Sequence, residues 1–290
     1  MLCTLCPRRC QANRLDNFGN GVCRMPSLPR VARAALHFGE EPCISGTNGS
    51  GTVFFSGCPL KCRFCQNQSI SQEDFGKTIS IERLADIFRE LVAQGAHNIN
   101  LVNPTHYALA IKRALDLYRP SVPVVYNSSG YESLNTLRLL DSYVDVYLPD
   151  LKYLDDALAA ELSGVSDYAA YATAAVLEMA RQTGPLVLDE NEIAQRGTIV
   201  RHLVLPGHTR ASMAVLEWLH THLPQGTFIS ILLQYTPFGN LTSPLDRPLT
   251  LRECRKIRDF AEEIGIIDGY IQQHNSSGAQ YVPLFDLTGV

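Results

Sequence analysis

The chain has 290 residues, with 46% hydrophobic and 19% charged side chains and a formal net charge of −4. These values suit one large globular domain, or a domain with a small appendage. The sequence contains no apolar run near the roughly 18 residues of a membrane span, no signal-peptide core and no basic excess for nucleic acid. We therefore predict a cytoplasmic protein with neither membrane nor nucleic-acid partners.

Cysteine usage points to metal binding. Eight of the nine cysteines precede residue 66, and in a cytoplasmic chain such a density favours metal over disulfides. The first four stand in a stretch interrupted by Pro and Gly: Cys3, Cys6, Cys10 and Cys23. Four thiolates without a nearby histidine fit either zinc or a second [4Fe–4S] cluster, and free structural cysteines are the alternative. We favour iron, because the spacings between these cysteines, with two and three intervening residues, recur in a second cysteine loop further along the chain.

Residues 25–51 are rich in Pro and Gly and are predicted to be a linking segment. Residues 46–51 resemble a phosphate-binding loop only superficially, because they lack its Gly-Lys-Ser/Thr ending, so we expect turns there. Residues 52–55 are β-branched and aromatic and predict a buried strand. The chain is therefore divided into residues 1–51, a cysteine-rich segment with its linker, and residues 52–290, the main domain.

A loop with three cysteines follows this strand directly. Cys58, Cys62 and Cys65 are spaced Cys-x3-Cys-x2-Cys, at the strand end where α/β sheets and barrels place their sites. Three thiolates can hold three irons of a cubic [4Fe–4S] cluster, which normally takes four cysteines, and so leave one iron open. A structural zinc loop is the alternative, although zinc sites usually pair two Cys-x2-Cys hooks.

From residue 80 onward, helical and strand patterns alternate, as a parallel α/β fold requires. Ser80 is the predicted N-cap of one helix, and Thr250 opens the last helix with a capping box. Further strands are predicted at 98–102, 122–126, 144–148, 198–205 and 227–234. Further helices are predicted at about 107–118, 132–140, 154–162, 168–183 and 210–222. Six strands are two short of a closed eight-fold barrel. We therefore predict an α/β fold, an incomplete (β/α)6 barrel with a small N-terminal cysteine-rich metal-binding segment, whose open side admits a large substrate.

The cysteine loop and the strand before it resemble the signature of the radical S-adenosylmethionine (SAM) superfamily. The resemblance implies that SAM chelates the open iron and that one electron from the cluster cleaves SAM to methionine and a 5′-deoxyadenosyl radical. It further implies that Phe64, just before the third cysteine, lies near the adenine. An electron donor such as flavodoxin or ferredoxin is the implied partner.

Polar residues at the strand ends resemble those of one branch of this superfamily, the pyruvate formate-lyase activating enzyme-like proteins. The resemblance extends over residues 1–275. The matching motifs are Asn127-Ser128-Ser129-Gly130, Asp150-x-Lys152, and Arg201 through Gly207. The resemblance implies that Asp150 and Lys152 contact SAM or a cation beside its carboxylate, and that Arg201 lies near the ribose or carboxylate. Independently, a carboxylate needs a cation, and ribose hydroxyls need polar partners such as Asn127, Ser128 and Ser129. The alternative is a surface Asp150–Lys152 pair worth about 0–1 kcal/mol.

The sequence also departs from this pattern after the second strand. Where the superfamily usually has a Gly-Gly-Glu-like motif for the SAM amino group, this chain reads Asn103-Pro104-Thr105-His106. We expect Thr105 to accept a hydrogen bond from that ammonium and His106 to serve the substrate or a proton relay. The candidate catalytic residues are His106 and Lys152.

Three functions are therefore considered. The first is an enzyme that abstracts hydrogen from a glycine of a partner glycyl radical enzyme. The second is radical modification of a peptide or a small molecule. The third is a non-catalytic zinc-binding interaction protein, which iron at the cluster loop would exclude.

Overall fold

The computed structural model describes residues 2–266, 268–272 and 283–290. Its strands are β1 (Arg14–Leu15), β2 (Phe18–Gly19), β3 (Arg30–His37), β4 (Ser50–Phe55), β5 (Lys77–Thr78), β6 (Ile99–Val102), β7 (Val124–Ser128), β8 (Val146–Pro149), β9 (Val187–Leu188), β10 (Ala194–Leu203), β11 (Phe228–Leu232) and β12 (Gly269–Ile271). Its helices are α1 (Pro42–Ser45), α2 (Gln68–Ser71), α3 (Ile81–Ala93), α4 (Ala108–Leu117), α5 (Leu134–Leu139), α6 (Asp156–Ser163), α7 (Tyr168–Thr183), α8 (Thr209–His222) and α9 (Leu251–Glu263).

A mostly parallel sheet forms the frame of the molecule. Its parallel strands lie in the order β4, β6, β7, β8, β10, β11, β12, and antiparallel β3 and β5 continue the sheet beyond β4. Within the described ranges the two ends of the sheet do not pair with each other. The six predicted strands and the partial α/β barrel are confirmed, and β12 adds a short parallel strand at one edge.

The segment 25–51 is more ordered than a linker. It contains β3, eight residues that pair antiparallel with β4 from Val31 opposite Phe55 to His37 opposite Ser50. The strand β3 was not predicted within this linking segment, because its sequence does not alternate cleanly between polar and apolar residues. Turns do occupy residues 46–48, as expected, before β4 begins.

The helices begin where the sequence predicted and turn their apolar faces inward. Ser80 caps α3 by accepting the Arg83 N–H, and Thr250 and Glu253 form the capping box of α9. The apolar face of α3 is wholly buried: Leu84, Ile87, Phe88 and Leu91. Such faces cover the sheet on the outside and leave the inner strand faces for the site. No helix within the described residues is long and apolar enough to cross a bilayer.

Candidate active site

A cavity of about 250 Å³ opens inside the curved sheet, and the cysteine loop after β4 forms one wall. The loop turns at Gly57, whose φ of +82° is in the left-handed region. A Cβ at Gly57 would also collide with the side chain of Met25, so only glycine fits this turn. The turn brings all three predicted cluster ligands to the cavity: Cys58, Cys62 and Cys65.

The three thiols are free and surrounded by hydrogen-bonding groups. The Leu60 N–H donates to Cys58 Sγ at 3.4 Å, and the hydroxyls of Ser163 and Ser71 lie 3.0 and 3.3 Å from Cys62 Sγ and Cys65 Sγ. Such contacts suit sulfurs that carry negative charge as metal ligands.

Burial raises the pKa of Cys62 to about 11, against the opposing influence of the Lys152 ammonium. A bound cationic metal would favour the thiolate form of Cys62. Among the described residues no three His, Cys, Asp or Glu side chains converge on one point as a single metal ion requires. A cubane does not require such convergence, because each of its irons takes its own thiolate. The loop thus fits an iron–sulfur cluster.

Three charged side chains form a buried network that also lines the cavity. Lys152 Nζ lies 2.5 Å from Asp150 Oδ2, and Arg201 Nε lies 2.9 Å from Asp150 Oδ1. The side chains of Lys152, Arg201 and Asp150 are only 14%, 14% and 20% exposed. These exposures rule out the alternative of a surface ion pair for Asp150 and Lys152. Although burial raises the pKa of Asp150, Arg201 and Lys152 together hold it below its usual value.

Glu40 completes the network and was not predicted. Its carboxylate accepts from Arg201 Nη1 at 3.1 Å and from the amides of Asn127 and Asn100 at 3.1 and 3.3 Å. Arg201 Nη2 also donates to Asn127 Oδ1 at 2.6 Å. One guanidinium thus joins side chains from β7, the end of β8 and the turn before α1.

The remaining predicted SAM contacts that reach the cavity are one aromatic ring and two hydroxyls. Phe64 is 7% exposed, and its ring centroid lies 6.3 Å from that of Tyr235. Ser128 and Ser129 line the cavity at the end of β7, and the buried Ser129 Oγ has no partner. An apolar ring face and an unpartnered hydroxyl on one cavity are groups that a nucleoside needs.

Thr105 and His106 do not reach the cavity. Thr105 donates to buried Glu132 at 2.5 Å, and His106 Nε2 lies 2.7 Å from the Ser56 carbonyl. Burial, together with the nearby Arg14 guanidinium, lowers the pKa of His106 to about 3. The imidazole is therefore neutral at physiological pH, and its position does not support the predicted roles of Thr105 and His106. Asn103, which precedes them, lines the cavity instead.

The four N-terminal cysteines lie close enough for the charge of one to affect the others. Cys3 and Cys23 each raise the pKa of Cys6, and Cys3 and Cys10 raise that of Cys23, in both cases after the larger effect of burial. Arg14 Nη1 lies 3.8 Å from Cys3 Sγ. Their side chains do not converge as a mononuclear site would, within the described part of the chain.

The cysteine-rich segment also packs against the cluster loop. Arg8 Nε donates to the Pro59 carbonyl at 2.8 Å, and Arg24 donates to the Gln72 carbonyl. The Cys23 carbonyl closely approaches Gly57. The two groups of cysteines therefore occupy adjoining parts of the structure.

Sequence comparison gives two matches. Residues 52–219 match the profile of the Radical SAM superfamily. A relative from Methanocaldococcus jannaschii, which bears the name uncharacterized protein MJ0674, is 30% identical over 275 residues. The aligned region covers 91% of this chain and 75% of the relative.

Structural comparison finds similar folds at low identity. SuiB of Streptococcus suis bound to its precursor peptide SuiA matches with a TM-score of 0.51 and 13% identity, over 75% of this chain and 47% of that chain. Methylornithine synthase (PylB) matches with a TM-score of 0.52 and 14% identity, over 83% of this chain and 65% of that chain. This chain spans about half the length of SuiB. At these identities the likeness is one of fold.

Proposed function

The chain belongs to the radical SAM superfamily, and we propose that it uses a cluster on Cys58, Cys62 and Cys65 to cleave SAM and abstract a hydrogen atom from a substrate. Membership implies a [4Fe–4S] cluster and SAM as cofactors. When bound, the cluster supplies the electron that cleaves SAM to methionine and a 5′-deoxyadenosyl radical. The observation that carries the proposal is the placement of three free thiols on the same cavity as a buried Lys–Asp–Arg network.

In this proposal the chain's own residues hold and orient SAM. Lys152 neutralises a carboxylate, because it is the cation beside the cluster thiols and lowers the pKa of Cys62. Asp150 fixes the Lys152 ammonium and the Arg201 guanidinium in place. Phe64 lies against the adenine, and Asn127, Ser128 and Ser129 supply polar partners for the ribose.

Two substrate classes are compatible with the cavity. The motifs at the ends of β7, β8 and β10 resemble those of activating enzymes that act on a glycine of a glycyl radical enzyme. A peptide or a small molecule is the second candidate. It is favoured by the acidic side chains Glu40 and Glu41, which lie inside the cavity and offer acceptors to a polar substrate group. In either case the enzyme needs a reductant, and we propose flavodoxin or ferredoxin.

A second metal site is proposed at Cys3, Cys6, Cys10 and Cys23. Burial and the charges of neighbouring cysteines raise the pKa of Cys6 and of Cys23, and all four thiols lie on a segment that contacts the cluster loop through Arg8 and Pro59. An iron–sulfur cluster is favoured over zinc at these cysteines, because the spacings of two and three intervening residues recur in the loop of Cys58, Cys62 and Cys65.

The test of the proposed function is anaerobic reconstitution followed by incubation with SAM and dithionite. The wild-type protein should release 5′-deoxyadenosine, and the Cys58→Ala, Cys62→Ala, Cys65→Ala triple variant should release none. Deuterium from labelled candidate glycine-loop peptides or small molecules should then appear in 5′-deoxyadenosine and identify the substrate class. SAM cleavage by the triple variant would refute the assignment of the loop.

A further inference from the structure

The floor of the cavity holds two consecutive carboxylates from the turn between β3 and α1. Glu40 contacts Asn100 of β6, Asn127 of β7 and Arg201 of β10, whereas Glu41 Oε1 accepts from Ser230 Oγ of β11 at 2.9 Å. Glu41 is only 7% exposed and still lines the cavity. The sheet therefore encloses both acids from several sides.

Hydrogen-bond acceptors on this floor lack donors. Glu41 Oε2 and Gln272 Oε1 are buried without a hydrogen-bond partner, and both residues line the cavity. The buried Oδ1 of Asn100, which sits beside Glu40, is unpartnered as well. Unpaired buried acceptors are costly and uncommon in folded proteins. Their presence around one cavity points to a ligand that brings hydrogen-bond donors.

The charges favour a cationic ligand. Three carboxylates line the described part of the cavity, and the Lys and Arg side chains that line it are Lys152 and Arg201. Lys152 is paired with Asp150, and Arg201 is shared between Asp150 and Glu40. Glu41 has no hydrogen bond from either cation, and although Arg201 lowers its pKa, burial has the larger effect and raises it. A further positive partner in hydrogen-bond contact would stabilise its carboxylate form.

The position of Glu41 assigns that partner to the substrate rather than to SAM. Lys152 lies on the cluster side of the network, because the hydroxyl of the next residue, Tyr153, is 3.0 Å from Ser163 Oγ, which is itself 3.0 Å from Cys62 Sγ. Hydrogen bonds lead from Lys152 through Asp150 and Arg201 to Glu40, and Glu41 is the next residue in the chain. The unpaired carboxylate thus belongs to the end of the cavity away from the cluster.

We propose that Glu41, assisted by Gln272, binds a protonated primary amine of the substrate, an inference that rests on the proposed function. An ammonium has three N–H donors and fits a carboxylate oxygen and an amide oxygen that lack partners. A metal ion fits less well, because no group of three metal-ligating side chains is found among the described residues.

The test uses the full chain, anaerobically reconstituted and saturated with SAM, and measures its thermal stability during titration. Pentylammonium chloride is the amine probe, and 1-pentanol is the uncharged probe of the same length. A ligand that binds the folded state raises the unfolding temperature with its concentration. We expect pentylammonium to stabilise the wild-type protein and pentanol to have no comparable effect.

Two variants and one control locate the binding site. Glu41→Gln should weaken pentylammonium binding about ten- to hundred-fold, as expected for loss of a charged hydrogen bond. Gln272→Leu, at a partly exposed position, should weaken it less. Glu262→Gln removes an exposed carboxylate of α9 and should bind the probe as the wild type does, which controls for general attraction of cations to an acidic protein.

Several results would overturn the inference. Equal binding of pentanol, or unchanged amine affinity in Glu41→Gln, would show that no ammonium site exists at Glu41. Stabilisation by potassium chloride that also depends on Glu41 would assign a metal ion instead. A matching loss of SAM affinity in Glu41→Gln would assign this carboxylate to SAM. A wild-type preparation that cleaves SAM but ignores the amine refutes this inference alone, whereas one that never cleaves SAM refutes the proposed function.

Discussion

Replacement of Arg201 by methionine tests whether the buried network behaves as one electrostatic unit. The change leaves two carboxylates without this cation, because Arg201 lies 3.1 Å from Glu40 and 2.9 Å from Asp150. Removal of one partner from a buried pair costs about 3–5 kcal/mol. At about 2–4 °C per kcal/mol for a chain of this class, the apparent unfolding temperature should fall by roughly 6–20 °C in differential scanning fluorimetry.

The same variant should show a defined dependence on pH. Burial raises the pKa of Glu40, and Arg201 is the largest influence that opposes this rise. Without Arg201 the pKa rises further above its unfolded value, so the carboxyl favours the folded state only while it is protonated. This stabilisation is present at low pH and is lost as the pH rises through the folded-state pKa. The difference between variant and wild type should therefore be larger at pH 8 than at pH 6.

Controls separate this effect from the loss of any charge. Lys112→Met breaks an exposed pair between Lys112 and Asp116, whose side chains are 33% and 46% exposed, and should cost much less stability than Arg201→Met, because surface ion pairs contribute little. Addition of Glu40→Gln to Arg201→Met should recover part of the stability, because it removes one of the two carboxylates that have lost their cationic partner. If Arg201→Met costs no more than Lys112→Met, the network is not desolvated as described and the argument fails.

Three further predictions concern the other buried groups. Lys152→Ala and Asp150→Ala should each weaken SAM binding about ten- to hundred-fold in equilibrium titrations; unchanged affinity in both would leave the network a purely structural role. Burial raises the pKa of Glu132 from 4.5 to about 7, so its stabilising neutral form is lost as the pH rises through 7. Glu132→Gln should remove a pH-dependent loss of up to about 3 kcal/mol between pH 5 and 8, and a constant difference from wild type in thermal scans would contradict this. Cys6→Ala with Cys10→Ala should remove about four irons or one zinc per chain by metal analysis, and unchanged metal content would mean that these cysteines bind none.

The barrel strands could be predicted from sequence because local pattern and burial agree in them. In β4 all six residues are buried, and its β-branched and aromatic side chains mark it as a strand. β3 carries the weaker pattern of Arg30–His37, and its strand conformation depends on pairing with β4. Tertiary pairing of this kind cannot be read from one segment alone.

The predicted site residues that directly end a parallel strand lie on the cavity, whereas those that follow the chain reversal after β6 do not. Asn127 and Ser128 are themselves the end of β7 and reach the cavity. After β6, however, Asn103 adopts a φ of +58°, which turns the chain. Thr105 and His106 then enter a 3₁₀ turn and point into the protein interior. A left-handed asparagine has no reliable sequence signature.

Glu40 and Glu41 were missed for a different reason. Two adjacent acids between Gly39 and Pro42 resemble a solvated turn, and most such residues are exposed. Their burial arises because the hairpin of β3 and β4 carries the turn beneath the sheet, next to Arg201 and Ser230. One sequence signal could have indicated these acids. Arg201 is a cationic residue within a strand, and such a residue requires a carboxylate from elsewhere in the chain.

The open edge of β3 is occupied by a segment from the far end of the sequence. The Leu287 N–H donates to the Ala32 carbonyl at 3.0 Å, the Ala34 N–H donates to the Thr288 carbonyl at 2.8 Å, and Arg33 pairs with Asp286 at 2.7 Å. Uncovered strand edges pair readily with other chains. Residues 286–290 therefore cover this edge of β3, and a protein cleaved before Asp286 should expose it to β-sheet pairing with another chain.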